Sequence, residues 1–295
     1  LNNEETTKFI YLSRVSSYWE ISAPKKRQGL GFPEIPRLTG GYRDLLWRLV
    51  RRDLLTSYQQ TLLGPLWLLL QPLLGILTYT FIFKQVADLP TDGLPAPLFY
   101  LTGIIGWTFF SESLITISYA YHSYADIFSK VYFPRMIVPL AGLLHHGIRA
   151  GIQSLLLIGL MIFYFLHGRL HPGWGLLWVL PVMVLAASLS LGLGLIAATL
   201  SARYRDIQNL LHFLLRLGWI VTPVIYPLSM ASPSLRHWLL LNPMSTLMEY
   251  LRYGLLGAGY HQIGGLIYAA LACLVSCVAG LMAFRWRDGR VMDII

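Results

Sequence analysis

Residues 42–58 read Y-R-D-L-L-W-R-L-V-R-R-D-L-L-T-S-Y, and residues 59–83 continue as Q-Q-T-L-L-G-P-L-W-L-L-L-Q-P-L-L-G-I-L-T-Y-T-F-I-F. In the first stretch Tyr42, Leu45, Leu46, Leu49, Val50, Leu54 and Tyr58 recur at helical spacing, while Arg43, Asp44, Arg48, Arg51 and Arg52 fall on other faces. Such a helix buries one side among lipid headgroups and turns the other to water or a partner. After the Gly64-Pro65 break, residues 62–83 form an apolar run too long for a soluble domain. The junction therefore predicts a helix on the cytoplasmic membrane surface, residues 42–61, followed by one that crosses.

Composition points the same way. Of 295 residues, 55% are hydrophobic and 13% charged, with mean hydropathy +0.56; a soluble domain carries about 25% charged residues. The formal charge of +9 does not form a folded basic face, because the cations concentrate before the first span. Lipid phosphate and membrane orientation account for them, and nucleic acid is not an expected partner. Cys273 and Cys277, four apart in an apolar segment, suit neighbours on a helix better than a disulfide or metal site.

Six segments reach or approach the roughly 20 residues a hydrocarbon core requires: 62–83, 98–119, 136–166, 176–200, 210–228 and 263–284. The third is longer and is expected to tilt or project into water. With the N-terminus inside, seventeen of the 23 Lys and Arg residues flank the inner side and four the outer. The expected fold is thus an all-α polytopic membrane protein, six transmembrane helices, N-in and C-in. Residues 1–41 read as a partly ordered cytoplasmic extension without a visible cleavable signal peptide, and 285–295 as a cytoplasmic tail. The first span is expected to act as the targeting signal.

Between the fifth and sixth spans, two short apolar helical patterns, 235–241 and 244–256, are split by Asn242-Pro243 and punctuated by Arg236, Glu249 and Arg252. Neither is long enough to cross. They are expected to dip into the outer leaflet as re-entrant helices packed on protein, or to lie as an interfacial hairpin.

The sequence contains no phosphate loop, no H-E-x-x-H and no neighbouring carboxylates on a cytoplasmic loop that could hold Mg²⁺. No catalytic residues and no metal site are expected. Ionisable residues within spans are costly and call for explanation. Glu112 either pairs with Arg149 or Arg216 across a helix interface or faces a transport path, and His145 and His146 are expected to be packed and hydrogen-bonded. Trp107, Phe109 and Phe110 lie too deep for an interfacial belt, which leaves core packing or a lining on which sugar rings stack. On the cytoplasmic side, residues 124–134, Y-A-D-I-F-S-K-V-Y-F-P, suit docking in another protein's cleft, and Arg203 and Arg205 sit near the phosphate level.

Several collinear stretches carry a resemblance: Y-Q-Q-T-L-L-G-P-L-W at 58–67, Q-P-L-L at 71–74, K-V-Y-F-P-R at 130–135, R-Y-R-D at 203–206, P-V-I-Y-P at 223–227 and L-N-P-M at 241–244. Together they resemble the permease subunit of ABC-2 type polysaccharide exporters, which move lipid-linked O-antigen, capsule or teichoic acid chains. The resemblance covers about 42–284 and implies a homodimer in the bacterial cytoplasmic (inner) membrane bound to two copies of a separate ATPase. ATP and Mg²⁺ would sit on that partner, leaving no cofactor in this chain.

By similarity, 124–133 would be the coupling helix seated in the ATPase, involving Tyr124, Asp126, Ile127, Phe128, Lys130 and Phe133. Trp107, Phe109 and Phe110 would line the sugar path. Trp238, Asn242, Pro243, Glu249 and Arg252 would belong to extracytoplasmic gate helices. The implied mechanism brings a lipid diphosphate to an entrance lined by Arg48, Arg51, Arg52, Arg203 and Arg205, whereupon ATP-driven movement of the coupling helices threads the polymer outward. Two other classes compete. A membrane glycosyl or phosphosugar transferase would need clustered carboxylates, and Asp126, Asp206, Asp288 and Asp293 are scattered. An ion-coupled secondary transporter would need two related halves, and no repeat is apparent.

Overall fold

The computed structural model describes residues 40–123, 134–170, 174–204 and 206–288. All belong to one compact unit, Ile35–Ile295. The described residues are helical apart from their connections, and five stretches are long and apolar enough to cross a membrane: Gly64–Val86, Ala96–Ser118, Ile137–Leu166, Gly175–Ser201 and Ile263–Trp286.

Helix α1 spans Gly40–Thr56. It ends before residue 61, where the amphipathic pattern led us to place its limit, because the chain turns away: the Thr56 and Ser57 hydroxyls donate back to the carbonyls of Arg52 and Asp53, and Gln60 takes a left-handed φ of 59°. Part of its apolar stripe is covered by protein. Val50 and Leu49 are buried against Ile137 and Ala141, while Trp47 and Leu55 stay exposed.

Gly64, with φ of 51°, makes the expected break, and a 3-10 turn, Gly64–Leu66, leads into α2, Trp67–Tyr79. The last part of this crossing, Thr80–Val86, widens to a π-helix. Helix α3, Ala96–Ser118, is the central post: 78% of its apolar window is buried, against 17% for the windows of Gly64–Val86, Ile137–Leu166 and Ile263–Trp286. It is apolar round most of its circumference, as a largely buried helix must be, with Thr108, Glu112 and Thr116 on one less buried face. One further turn, Ala120–Ser123, extends it.

Helix α4, Ile137–Leu166, has 30 residues, about 45 Å of helix against a hydrocarbon core of about 30 Å. Its surplus first turns carry Ile137 and Ala141, the residues against which α1 packs. A 3-10 turn, Trp174–Trp178, precedes α5, Val179–Ser201. Helix α5 makes its closest crossing with α9, Ile263–Asp288. A Cβ at Gly192 or Gly280 would fall on the other helix's backbone, so small residues here permit an approach that side chains would block.

The region expected as the fifth span, 210–228, is a shorter helix. α6 runs Asp206–Val221, 16 residues and about 24 Å, and then turns. After it come α7, Pro233–Leu240, and α8, Pro243–Leu256, each with proline in its first turn. α8 is buried along most of its length among α3, α5, α9 and the Trp174–Trp178 turn. α7 is more superficial. Gly106 lets α8 approach α3: a Cβ there would stand 2.9 Å from the side chains of Leu251 and Met248. α9 runs to Asp288, four residues into the expected tail of 285–295.

Candidate functional site

The most densely bonded polar site lies where α8 meets the turn after α6. Glu249 and Arg252, three residues apart on α8, form an ion pair at 2.9 Å with side chains 1% and 2% exposed. Glu249 also accepts from the backbone N–H of Leu228 at 3.4 Å and of Tyr260 at 2.9 Å. Arg252 Nη2 donates to the carbonyl of Val224 at 2.6 Å, and its Cζ lies 3.8 Å from the Phe99 ring centroid. The pair thus ties three chain segments and α3 together. Asn242 completes the frame: its Oδ1 caps α8 by accepting from the N–H of Met244, and its Nδ2 donates to the buried Thr222 hydroxyl at 2.9 Å. Pro243 fixes the first helical residue, whereas Trp238 on α7 is 70% exposed.

Trp107, Phe109 and Phe110 are all buried inside the protomer. Trp107 and Phe110 pack with ring centroids 5.5 Å apart and line a cavity of about 390 Å³ behind α6. Phe109 turns instead toward α4, where its ring lies 3.9 Å from a Cβ built on Gly147. The three aromatics therefore share no single surface.

Helix α6 has two unlike faces. Leu211, Leu215 and Trp219 pack inward, while Asn209, His212 and Arg216 are exposed along the other side. Arg216 makes no hydrogen bond or ion pair among the described residues, and His212 Nε2 stands 3.4 Å from the Tyr119 hydroxyl. The pairings of Glu112 with Arg149 or Arg216 do not form. Glu112 is half-buried with no ion pair among the described residues; Arg149 Nη2 donates instead to Gln71 Oε1 at 2.8 Å, joining α4 to α2. His145 and His146 are both buried, rings 4.8 Å apart; His146 Nε2 is 2.7 Å from the Thr116 hydroxyl as expected, whereas the buried His145 Nδ1 finds no hydrogen-bond partner among the described residues, contrary to the expectation.

Arg48, Arg51 and Arg52 are exposed on α1, and Arg52 pairs with Asp53 at 2.7 Å beside a cavity of about 370 Å³ bounded also by Thr116, Tyr119 and Gly142. Arg203 lies on a different element, the turn after α5, with its guanidinium 5.1 Å over the Tyr204 ring. Just past α1, burial raises the Tyr58 phenol above its usual pKa, the positive charge of Arg149 opposing the shift. Arg205 and Tyr124, Asp126, Ile127, Phe128, Lys130 and Phe133 lie outside the described residues. Among the described residues no group of His, Cys, Asp or Glu side chains could hold a metal ion.

The partners of the α8 pair were not foreseeable as a set. Glu249 and Arg252 announce themselves by i, i+3 spacing, but nothing local links them to Leu228, Val224, Phe99 or Tyr260. The polar stripe on α6 does have a sequence signal: Asn209, His212 and Arg216 recur at helical spacing within an apolar helix.

Comparison with known proteins fits a bundle of long apolar helices. Residues 44–256 match the ABC-2 type transporter family. The chain is 27% identical over 258 residues to the O-antigen export system permease protein RfbA of Klebsiella pneumoniae, covering 85% of this chain and 95% of that protein. It is 32% identical over 212 residues to the protein of the same name from Myxococcus xanthus, covering 70% and 78%. To the polysialic acid transport protein KpsM of Escherichia coli it is 25% identical over 242 residues, covering 80% and 91%. With its long apolar helices and a match across most of their length, the chain belongs to the ABC-2 type transporter family, as a multi-pass permease subunit that is itself non-catalytic.

Proposed function

We propose that the chain is the transmembrane subunit of an ATP-driven exporter that carries lipid-linked polysaccharide across the bacterial cytoplasmic membrane, through a conduit between two copies of itself. The names of its relatives, O-antigen export and polysialic acid transport, supply the cargo class. ABC-2 permeases pair with ATPase subunits, and two such subunits here would hold the ATP and Mg²⁺. In this reading the topology is six crossings, N-in and C-in, with α6 and the turn after it as the fifth.

The observation that carries the conduit is the outward stripe of α6. Arg216 stands ten residues into the helix, about 15 Å along its axis, and is exposed with no hydrogen-bond or ion-pair partner among the described residues. A guanidinium held against lipid at that depth is expensive, so the face must meet water, cargo or a second copy. Arg48, Arg51, Arg52, Arg203 and Arg205 would attract the lipid diphosphate at the cytoplasmic entrance. Residues 124–133 would receive the ATPase stroke, and a displacement of α6 would uncover Trp107 and Phe110 for stacking against sugar rings, with Phe109 behind them. Trp238, Asn242, Pro243, Glu249 and Arg252 would hold the extracytoplasmic gate.

The test is water access. In the full complex reconstituted in vesicles, with Cys273 and Cys277 replaced by alanine, His212→Cys and Arg216→Cys should react with a charged thiol reagent. Val278→Cys, on the exposed apolar side of α9, should not. Protection at both α6 positions would refute the conduit.

A further inference from the structure

The cavity of about 370 Å³ lies at the inner end of α3, between the close of α1 and the first turns of α4. Arg52 and Asp53 line it from α1, Thr116 and Tyr119 from the α3 side, and Ile115 and Val138 supply apolar patches. Its polar groups are accessible: the Arg52 and Asp53 side chains are 43% and 24% exposed, Thr116 is exposed and Tyr119 half-buried. Glu112, Thr116 and Tyr119 recur at helical spacing, so the cavity is the foot of a polar stripe on α3. The Tyr119 hydroxyl stands 3.4 Å from His212 Nε2, which joins that foot to the outward stripe of α6.

The chemistry of the walls selects among occupants. Arg52 Nε and Nη2 both donate to Asp53 Oδ1, at 3.0 and 2.7 Å, so the two charges cancel and a phosphate inside the cavity would meet the Asp53 carboxylate. An acyl chain would strip water from an ion pair and two hydroxyls and return no hydrogen bond. A neutral sugar ring meets both demands: its hydroxyls donate and accept, and its C–H face can rest on Ile115, Val138 or the Tyr119 ring. The volume falls within the range of about 300–1,000 Å³ usual for small-molecule sites. The site is also set before anything binds, because the buried His146 Nε2, at 2.7 Å, fixes the Thr116 hydroxyl.

We propose that this cavity binds one neutral sugar ring of the cargo, the ring adjoining the lipid diphosphate, through the Arg52–Asp53 pair, Thr116 and Tyr119. The assignment rests on reading the chain as an exporter of lipid-linked polysaccharide. Arg48 and Arg51, exposed on α1 without lining the cavity, keep the phosphates outside it and leave the first ring at its mouth. The cavity thereby distinguishes a glycosylated carrier from a bare one before the polymer reaches the α6 stripe.

The experiment measures binding of lipid diphosphates to the full chain in its complex with the ATPase subunit, in nanodiscs: a bare polyprenyl diphosphate, and the same lipid carrying one N-acetylglucosamine, glucose or galactose. At least one glycosylated lipid should bind about tenfold more tightly than the bare one, the gain of one or two net hydrogen bonds. Thr116→Val and Tyr119→Phe should each shrink that gain about threefold or more and leave binding of the bare lipid unchanged, whereas Thr116→Ser, which keeps the hydroxyl, should retain it. If Thr116→Val does not fold, Tyr119→Phe decides. A bare lipid that binds while none of the three sugars adds affinity overturns the site and leaves the exporter reading standing. A gain indifferent to both variants overturns the assignment to this cavity. If none of the lipids binds, the exporter reading fails and the site falls with it.

Discussion

Removing the Glu249 carboxylate should unfasten the turn after α6 from α8. In Glu249→Ala, Arg252 loses its counter-ion at 2.9 Å while remaining 1% exposed, and the N–H groups of Leu228 and Tyr260 lose their acceptor. Breaking one side of a buried pair costs about 3–5 kcal/mol because the other charge is left uncompensated. The remaining bonds of Arg252, to the Val224 carbonyl and over the Phe99 ring, do not neutralise it. At about 2–4 °C per kcal/mol, the apparent Tm should fall by roughly 10 °C. Glu249→Leu with Arg252→Met removes both charges and should restore most of the loss, since apolar replacements of a buried pair are often neutral. With the partly exposed Cys277 replaced by alanine in every variant, detergent-solubilised protein supplies its own probe: Cys273 is fully buried, so a thiol-reactive fluorophore that lights on labelling reports unfolding. A Tm unchanged in Glu249→Ala, or a double variant no better than the single ones, would show that the pair does not hold the turn.

Two further outcomes are expected. Asn242→Ala removes the α8 cap and strands the Thr222 hydroxyl, costing about 1–3 kcal/mol in the same thermal assay, with Asn242→Asp retaining the cap acceptor and losing less. Asp126→Ala with Phe128→Ala should leave ATP hydrolysis running while surface polysaccharide falls; normal export from the intact assembly would dismiss residues 124–133 as the coupling element.

What the sequence by itself determined is whatever depends on neighbours along the chain. The Gly64-Pro65 break, the crossing helices near 98–119, 136–166, 176–200 and 263–284, and the Asn242-Pro243 start of α8 are encoded by hydropathy, periodicity and capping, which act over a few residues. The stripe Asn209, His212 and Arg216 is equally local. Tertiary structure decided which surfaces meet. Arg149 takes Gln71 on α2 rather than Glu112, because the packing of α4 brings those two within 2.8 Å. Val50 settles on Ile137 and Ala141, so a stripe that amphipathicity assigns to lipid becomes partly protein interior. Trp107, Phe109 and Phe110, adjacent in sequence, point to different neighbours. In a chain this apolar, nearly every helix face can be buried, and hydropathy does not distinguish lipid from a neighbouring helix. Shape does, through the glycines at 106, 192 and 280 and the few polar atoms that must find partners.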